Sequence, residues 1–173
     1  MSGLPPGMRQ ISPEIVYADD GLVYADLAVI AALKALAEAS PRRRARLCAH
    51  PAPEAAQQEM LIVMQGDSYV RPHRRLSKSE TLTVLEGEAD ALVFDARGGL
   101  TRTLRLGPSG SDRAFFYRMP AMVFHSLAFR TPWFVFLETT VGPFDPDLSE
   151  PAPWAPPESD PSAGRAFLRA VAA

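Results

Sequence analysis

Between Glu59 and Thr140 the chain never keeps one apolar pattern going for long. About eight short runs, at 60–64, 68–73, 80–85, 89–95, 100–106, 114–119, 125–129 and 133–140, are each cut off by turn residues. The breaks are Gln65-Gly-Asp, Leu76-Ser-Lys-Ser, Glu86-Gly, Ala96-Arg-Gly-Gly, Gly107-Pro-Ser-Gly-Ser, Pro120 and Thr131-Pro. Runs this short, spaced this regularly and rich in β-branched and aromatic residues, predict antiparallel strands closed into a sandwich or barrel. The natural candidate is an all-β jelly roll.

The flanks differ from this middle. Gly and Pro crowd the lead-in to about Ser12, which predicts a loose end. Val-Tyr-Ala-Asp occurs twice around Asp20-Gly21, a hairpin signal. Asp26 has the position of an N-cap, and Leu27, Ile30, Leu33, Leu36 and Ala37 recur at helical spacing up to Ser40-Pro41. The arginine run Arg42-Arg43-Arg44-Ala45-Arg46 then reads as a solvated helix end. Beyond Val141 the prolines exclude a central strand and predict an extended surface tail, pinned by Trp154. Asp160-Pro161 opens a short helix with Phe167, Leu168 and Val171 on one face. The expected organisation is therefore one domain: an N-terminal extension over 1–56, a barrel over 57–141 and a wrapping tail over 142–173.

Charge narrows the partners. The formal net charge is −2, with 18 basic and 20 acidic side chains. That balance offers no electrostatic grip on nucleic acid or on an anionic membrane. The longest apolar stretch, 27–37, is interrupted by Lys34 and too short to span a bilayer. No basic stretch followed by an apolar one marks a signal peptide, and Cys48 stands alone, so a reducing cytoplasm is the expected compartment.

The candidate chemistry lies in Tyr69-Val-Arg-Pro-His-Arg-Arg75, followed by Glu80 and Gly87, and in Pro120-Ala-Met-Val-Phe-His125. Strand alternation puts Tyr69, Arg71, His73 and Arg75 on one face. A hairpin through 76–79 would bring Glu80 opposite His73, with His125 entering from a later strand. Two imidazoles and a carboxylate suit a divalent ion such as Fe, Mn, Zn or Ni, with positions left open for a small molecule. Ser126 faces away from His125, so a nucleophilic triad is not supported, and no catalytic residue is assigned.

These elements resemble the two motifs of the cupin superfamily. Residues 40–50, Gly66-Asp-Ser-Tyr-Val-Arg-Pro-His73, Val141-Gly-Pro-Phe-Asp-Pro and Ala152-Pro-Trp-Ala-Pro resemble more specifically the WbuC-type cupins of O-antigen and polysaccharide gene clusters. The resemblance implies a cupin jelly-roll β-barrel, with a divalent metal on His73, Glu80 and His125 and with Cys48 and His50 close by. It implies a small polar substrate, anionic or sugar-like, met by Arg71, Arg75, Tyr69 and His50, and by analogy a homodimer. Three positions depart from the family: Arg75 stands where it has His, Cys48 where it has Asn, and Met122 where a turn has Gly. A guanidinium cannot ligate a metal. At an effective dielectric near 20, like unit charges 4 Å apart cost roughly 4 kcal/mol, and a dication would feel more. Arg75 is therefore expected either to pair with Glu80, leaving a metal-free ligand-binding protein, or to swing to the mouth and grip an anion.

Overall fold

Residues 133–141 show how the chain is layered. Phe134, Phe136 and Glu138 alternate with Val135 and Leu137, so one strand supplies apolar side chains to two different layers. In the computed structural model, which describes residues 4, 6–19 and 21–172, that strand is the eleventh of twelve. The order is β1 (Met8–Gln10), β2 (Ile15–Ala18), α1 (Leu27–Ala39), β3 (Arg44–Cys48), β4 (Gln57–Gln65), β5 (His73–Arg75) and β6 (Glu80–Glu86). There follow β7 (Ala89–Phe94), β8 (Leu100–Leu106), β9 (Phe116–Met119), β10 (Phe124–Phe129), β11 (Trp133–Val141), β12 (Ser149–Pro151) and α2 (Pro161–Val171). They form a seven-stranded sheet ordered β1-β2-β3-β4-β11-β6-β9 and a five-stranded sheet ordered β12-β5-β10-β7-β8. All pairs are antiparallel except β2 with β3. The fold is a mostly-β jelly roll whose two sheets face each other without closing into a continuous barrel.

The space between the sheets is the main core. Met60, Ile62, Met64, Leu82, Val84, Phe134 and Phe136 from the larger sheet meet Ala89, Ala91, Leu106 and Leu127 around the smaller one. The outer face of the larger sheet is covered by α1. Asp26 caps that helix, its Oδ1 accepting from the N–H of Ala28 and Val29 at 2.9 and 3.0 Å. The buried line is Val29, Leu33 and Ala37, while Leu27, expected in the stripe, is exposed. The outer face of the smaller sheet is covered by the tail. Trp154 lies 5.1 Å from Phe94 and 5.8 Å from Phe124, and Leu168 of α2 completes the cluster.

Five expectations need correction. The hairpin at Asp20-Gly21 involves Asp20, which lies outside the described residues. Residues 22–26 form no strand, and β2 pairs instead with β1, which lies inside the supposedly loose lead-in. The arginine run is only in part a solvated helix end. Arg42 and Arg43 lie in the turn after α1, but from Arg44 the run is strand β3, with Ala45 and Leu47 against α1 and with Arg44 and Arg46 lining a cavity on the other side. Residues 68–72 form no ladder, because Pro72 has no N–H and the carbonyls of Val70 and Pro72 are taken by Ser126 Oγ and the Ala152 N–H. Finally, 76–79 is not a hairpin: β5 and β6 belong to opposite sheets, so the segment crosses the sandwich.

Candidate functional site: a buried His–Glu–Arg network

That crossing assembles the site. His73 on β5 is directly opposite His125 on β10, and their rings lie 4.7 Å apart. Glu80 begins β6 on the facing sheet, so carboxylate and imidazoles meet across the core rather than along one hairpin. Ligand atoms of His73, Glu80 and His125 all lie within 4.8 Å of one another, a grouping that could hold a metal ion. The Nδ1 atoms of His73 and His125 are each 3.0 Å from a backbone carbonyl two residues earlier, at Arg71 and Val123. Those contacts fix both rings with Nε2 turned inward, as second-shell partners do for ligating histidines.

Arg75 takes up the carboxylate. Its Nε donates to Glu80 Oε2 at 2.9 Å, while His125 Nε2 lies 2.8 Å from Oε1. Both oxygens of Glu80 therefore already have a partner. Arg75 Nη2 also lies 3.5 Å from Oε1 of Glu138 on β11, tying two buried carboxylates together. The Arg75 backbone is held as well, its carbonyl accepting from the Met122 N–H at 2.7 Å. Met122 has a φ of 67°, so the turn keeps a left-handed geometry although it has no glycine there.

Protonation follows from these contacts. Burial favours neutral Glu80, but the His125 hydrogen bond and the charges of His125 and Arg75 hold its pKa far below the usual carboxylate range. Burial likewise opposes a charge on His125, yet the bond to Glu80 raises its pKa above the ordinary imidazole value. Both His125 nitrogens face oxygens that only accept here, which suits the doubly protonated ring. His73 goes the other way: burial and the neighbouring His125 push its pKa down to about 4. Glu138 is pushed up to about 7, by burial first and by Glu80 next, with Arg75 opposing.

The remaining candidates are placed around this network. Arg71, His73 and Arg75 line a cavity of about 500 Å³ that opens between β3, β5 and the tail. Arg71 reaches the Ala152 carbonyl at 2.8 Å. Tyr69 is not brought into that cavity: it packs under Gly164 of α2 and donates to the Pro156 carbonyl at 2.8 Å. His50 is buried, accepts the Glu59 N–H at 2.9 Å, and lines a separate pocket of about 60 Å³ with Cys48, Arg46, Arg75 and Glu138. Burial pushes the Cys48 thiol up, away from a nucleophilic thiolate. Glu138 and Arg46 escaped the sequence reading. The signal for Glu138 was a lone carboxylate at the inward parity of Phe134 and Phe136. The signal for Arg46 was its alternation with Ala45 and Leu47.

The family described as "Domain of unknown function (DUF6016)" matches residues 25–106. Among solved structures, the chain is similar to a protein from Shewanella oneidensis at 16% identity and a TM-score of 0.49, over 71% of this chain and 76% of that one. It is similar to oxalate decarboxylase from Bacillus subtilis at 14% identity and a TM-score of 0.49, over 62% of this chain. It is also similar to the Cnp3 cupin domain of Schizosaccharomyces pombe at 12% identity and a TM-score of 0.45, over 57% of this chain and 64% of that one. The chain spans 27% of the length of the oxalate decarboxylase and 21% of that of an 11S globulin from Brassica napus. No curated protein matches it. Among the described residues, no helix is long and apolar enough to cross a membrane.

Proposed function

We propose that this is a cupin-type protein that binds a small molecule in the cavity beside β5, with Arg75 standing in place of a resident metal. The observation that carries this reading is the two-sided contact of Arg75, at 2.9 Å from Glu80 and 3.5 Å from Glu138. Three donors of the right types are present, so number and spacing suit a divalent ion. Charge and hydrogen bonding do not: a dication at Glu80 would displace both its partners and sit beside a guanidinium. The group is closed by internal pairing instead, Glu80 between Arg75 and His125. Its role is to hold His73 and Arg75 rigidly at the inner end of the cavity, where a ligand would meet them. A WbuC-type relationship and a ligand of sugar type remain part of this proposal, supported by the Tyr-Val-Arg-Pro-His and Pro-Trp-Ala-Pro motifs. No reaction is assigned.

The experiment is metal analysis of untagged protein, parent beside Arg75→His, after incubation with Fe(II), Mn(II), Zn(II) and Ni(II) in turn and gel filtration. The parent is expected to retain well under one equivalent of each, and Arg75→His to approach one equivalent of at least one. Stoichiometric metal in the parent, lost in Glu80→Ala, would reinstate the metal centre. No gain in Arg75→His would remove the idea that Arg75 is what excludes the ion.

A further inference from the structure

The cavity is lined by five arginines, at positions 42, 44, 46, 71 and 75, against two glutamates, at 14 and 158. Three of the arginines are already matched. Arg42 and Arg44 pair with Glu14 and Glu158 at the rim, and Arg75 pairs with Glu80 and Glu138. Among the described residues, Arg46 and Arg71 belong to no ion pair. Both have a buried Nε–H that donates to nothing. Buried guanidinium donors left unpaired are costly unless a ligand completes them. Arg46 projects from β3 of the larger sheet, and Arg71 comes from the irregular segment leading into β5 of the smaller one, so two separate elements bring the two unsatisfied groups to one concavity. The rim pairs keep Glu14 and Glu158 engaged with Arg42 and Arg44.

We propose that Arg46 and Arg71 form a subsite for a dianionic head group, a phosphate monoester or two adjacent carboxylates, on a small organic molecule. The inference rests on the ligand-binding reading above and specifies its ligand. Two guanidinium forks carry two positive charges and a planar donor set suited to oxyanions. A monoanion would leave one of them uncompensated. The cavity volume falls within the roughly 300–1,000 Å³ of small-molecule pockets. Ile62, Met64 and Val70 supply an apolar wall. The ligand is thus polar at one end and no larger than a sugar phosphate or a tricarboxylate.

Calorimetric titration with glucose 6-phosphate, citrate, acetate and glucose tests it, using chelator-treated and dialysed parent, Arg46→Gln, Arg71→Gln and the surface control Arg102→Gln. At least one dianion-bearing probe is expected to bind the parent and the control, at least about tenfold more tightly than acetate or glucose. Each cavity variant should lose about tenfold or more, with an unliganded melting transition like the parent's. Which of glucose 6-phosphate and citrate prevails identifies the head group. If Arg46→Gln does not fold, Arg71→Gln carries the test. Dianion binding that survives both substitutions, acetate binding as tight as citrate, or no binding of either dianion overturns the subsite. The wider reading stands or falls separately, on whether Arg75→His gains metal and the parent does not.

Discussion

At the scale of single residues, the interior network sets similar groups apart by their partners. Glu80 and Glu138 share Arg75, but only Glu80 has His125 as well, and it alone is held strongly ionised. Glu138, pushed up to about 7, keeps its proton in the folded state over a window where an unfolded glutamate has lost it. Between about pH 4.5 and pH 7 the native state therefore binds more protons at this position, and its contribution to stability falls as pH rises. Glu138→Gln keeps the shape and removes the titration. The difference in melting temperature, variant minus parent, is expected to grow from pH 4.5 to pH 7 and then level off. A pH-independent difference would mean Glu138 is not the group that titrates. His73, Glu80 and His125 were legible in the sequence because their spacing is a pattern. Glu138 was not, since a single carboxylate in an apolar run becomes conspicuous only once its facing partner, Arg75, is known. Tyr69 was misplaced for the converse reason: parity put it with Arg71, but the segment before Pro72 is not a regular strand, and the ring ends beneath α2.

At the scale of elements, the sequence was most legible where a local signal settles the outcome. Helix α1 runs from Leu27 to Ala39 as its cap and Ser40-Pro41 require, and β8 has the predicted bounds. It was least legible where tertiary pairing decides. Strand β3 looked like a charged helix end because two of its arginines face a cavity rather than solvent. The 76–79 segment looked like a hairpin because nothing local distinguishes a turn from a crossing between sheets. Helix α2 shows a contact no composition reveals. A Cβ at Gly164 would lie 2.3–2.5 Å from ring atoms of Tyr69, so the helix docks only because that position is bare. Gly164→Ala should gain helix propensity yet lose about 1–3 kcal/mol overall, since the ring is fixed by its bond to Pro156 and the helix must lift. Chemical denaturation beside the exposed Ala170→Ser, expected within about 0.5 kcal/mol of the parent, checks it. A neutral or stabilising Gly164→Ala would show that the ring moves aside freely.

At the scale of the whole molecule, the layers outside the core decide whether the site keeps its shape. Strand β5 carries His73 and Arg75 but has three residues and a single register pair with β10. Its other neighbour is β12 of the tail, with three pairs, supported by the Leu76 N–H to Leu148, the Ala152 N–H to Pro72 and the Arg74–Glu150 ion pair at 2.8 Å. The tail is in turn clamped by Trp154 and Leu168 against Phe94 and Phe124, and Glu158 pairs with Arg42 at the cavity rim. The strand presenting the site is thus held more by a proline-rich segment than by the sheet it joins. Loosening the clamp should be felt at the site before it is felt in the larger sheet. Leu168→Ala removes a side chain that is 5% exposed and should cost about 2–5 kcal/mol if the whole molecule unfolds as one unit. The layered arrangement predicts more than that single number. Amides of residues 73–76 should exchange with deuterium markedly faster in Leu168→Ala under native conditions, while those of β4 and β11, paired on both sides over 60–64 and 135–140, change little. Uniform acceleration across all strands would mean that the tail and both sheets open together and that the clamp has no separate hold on β5.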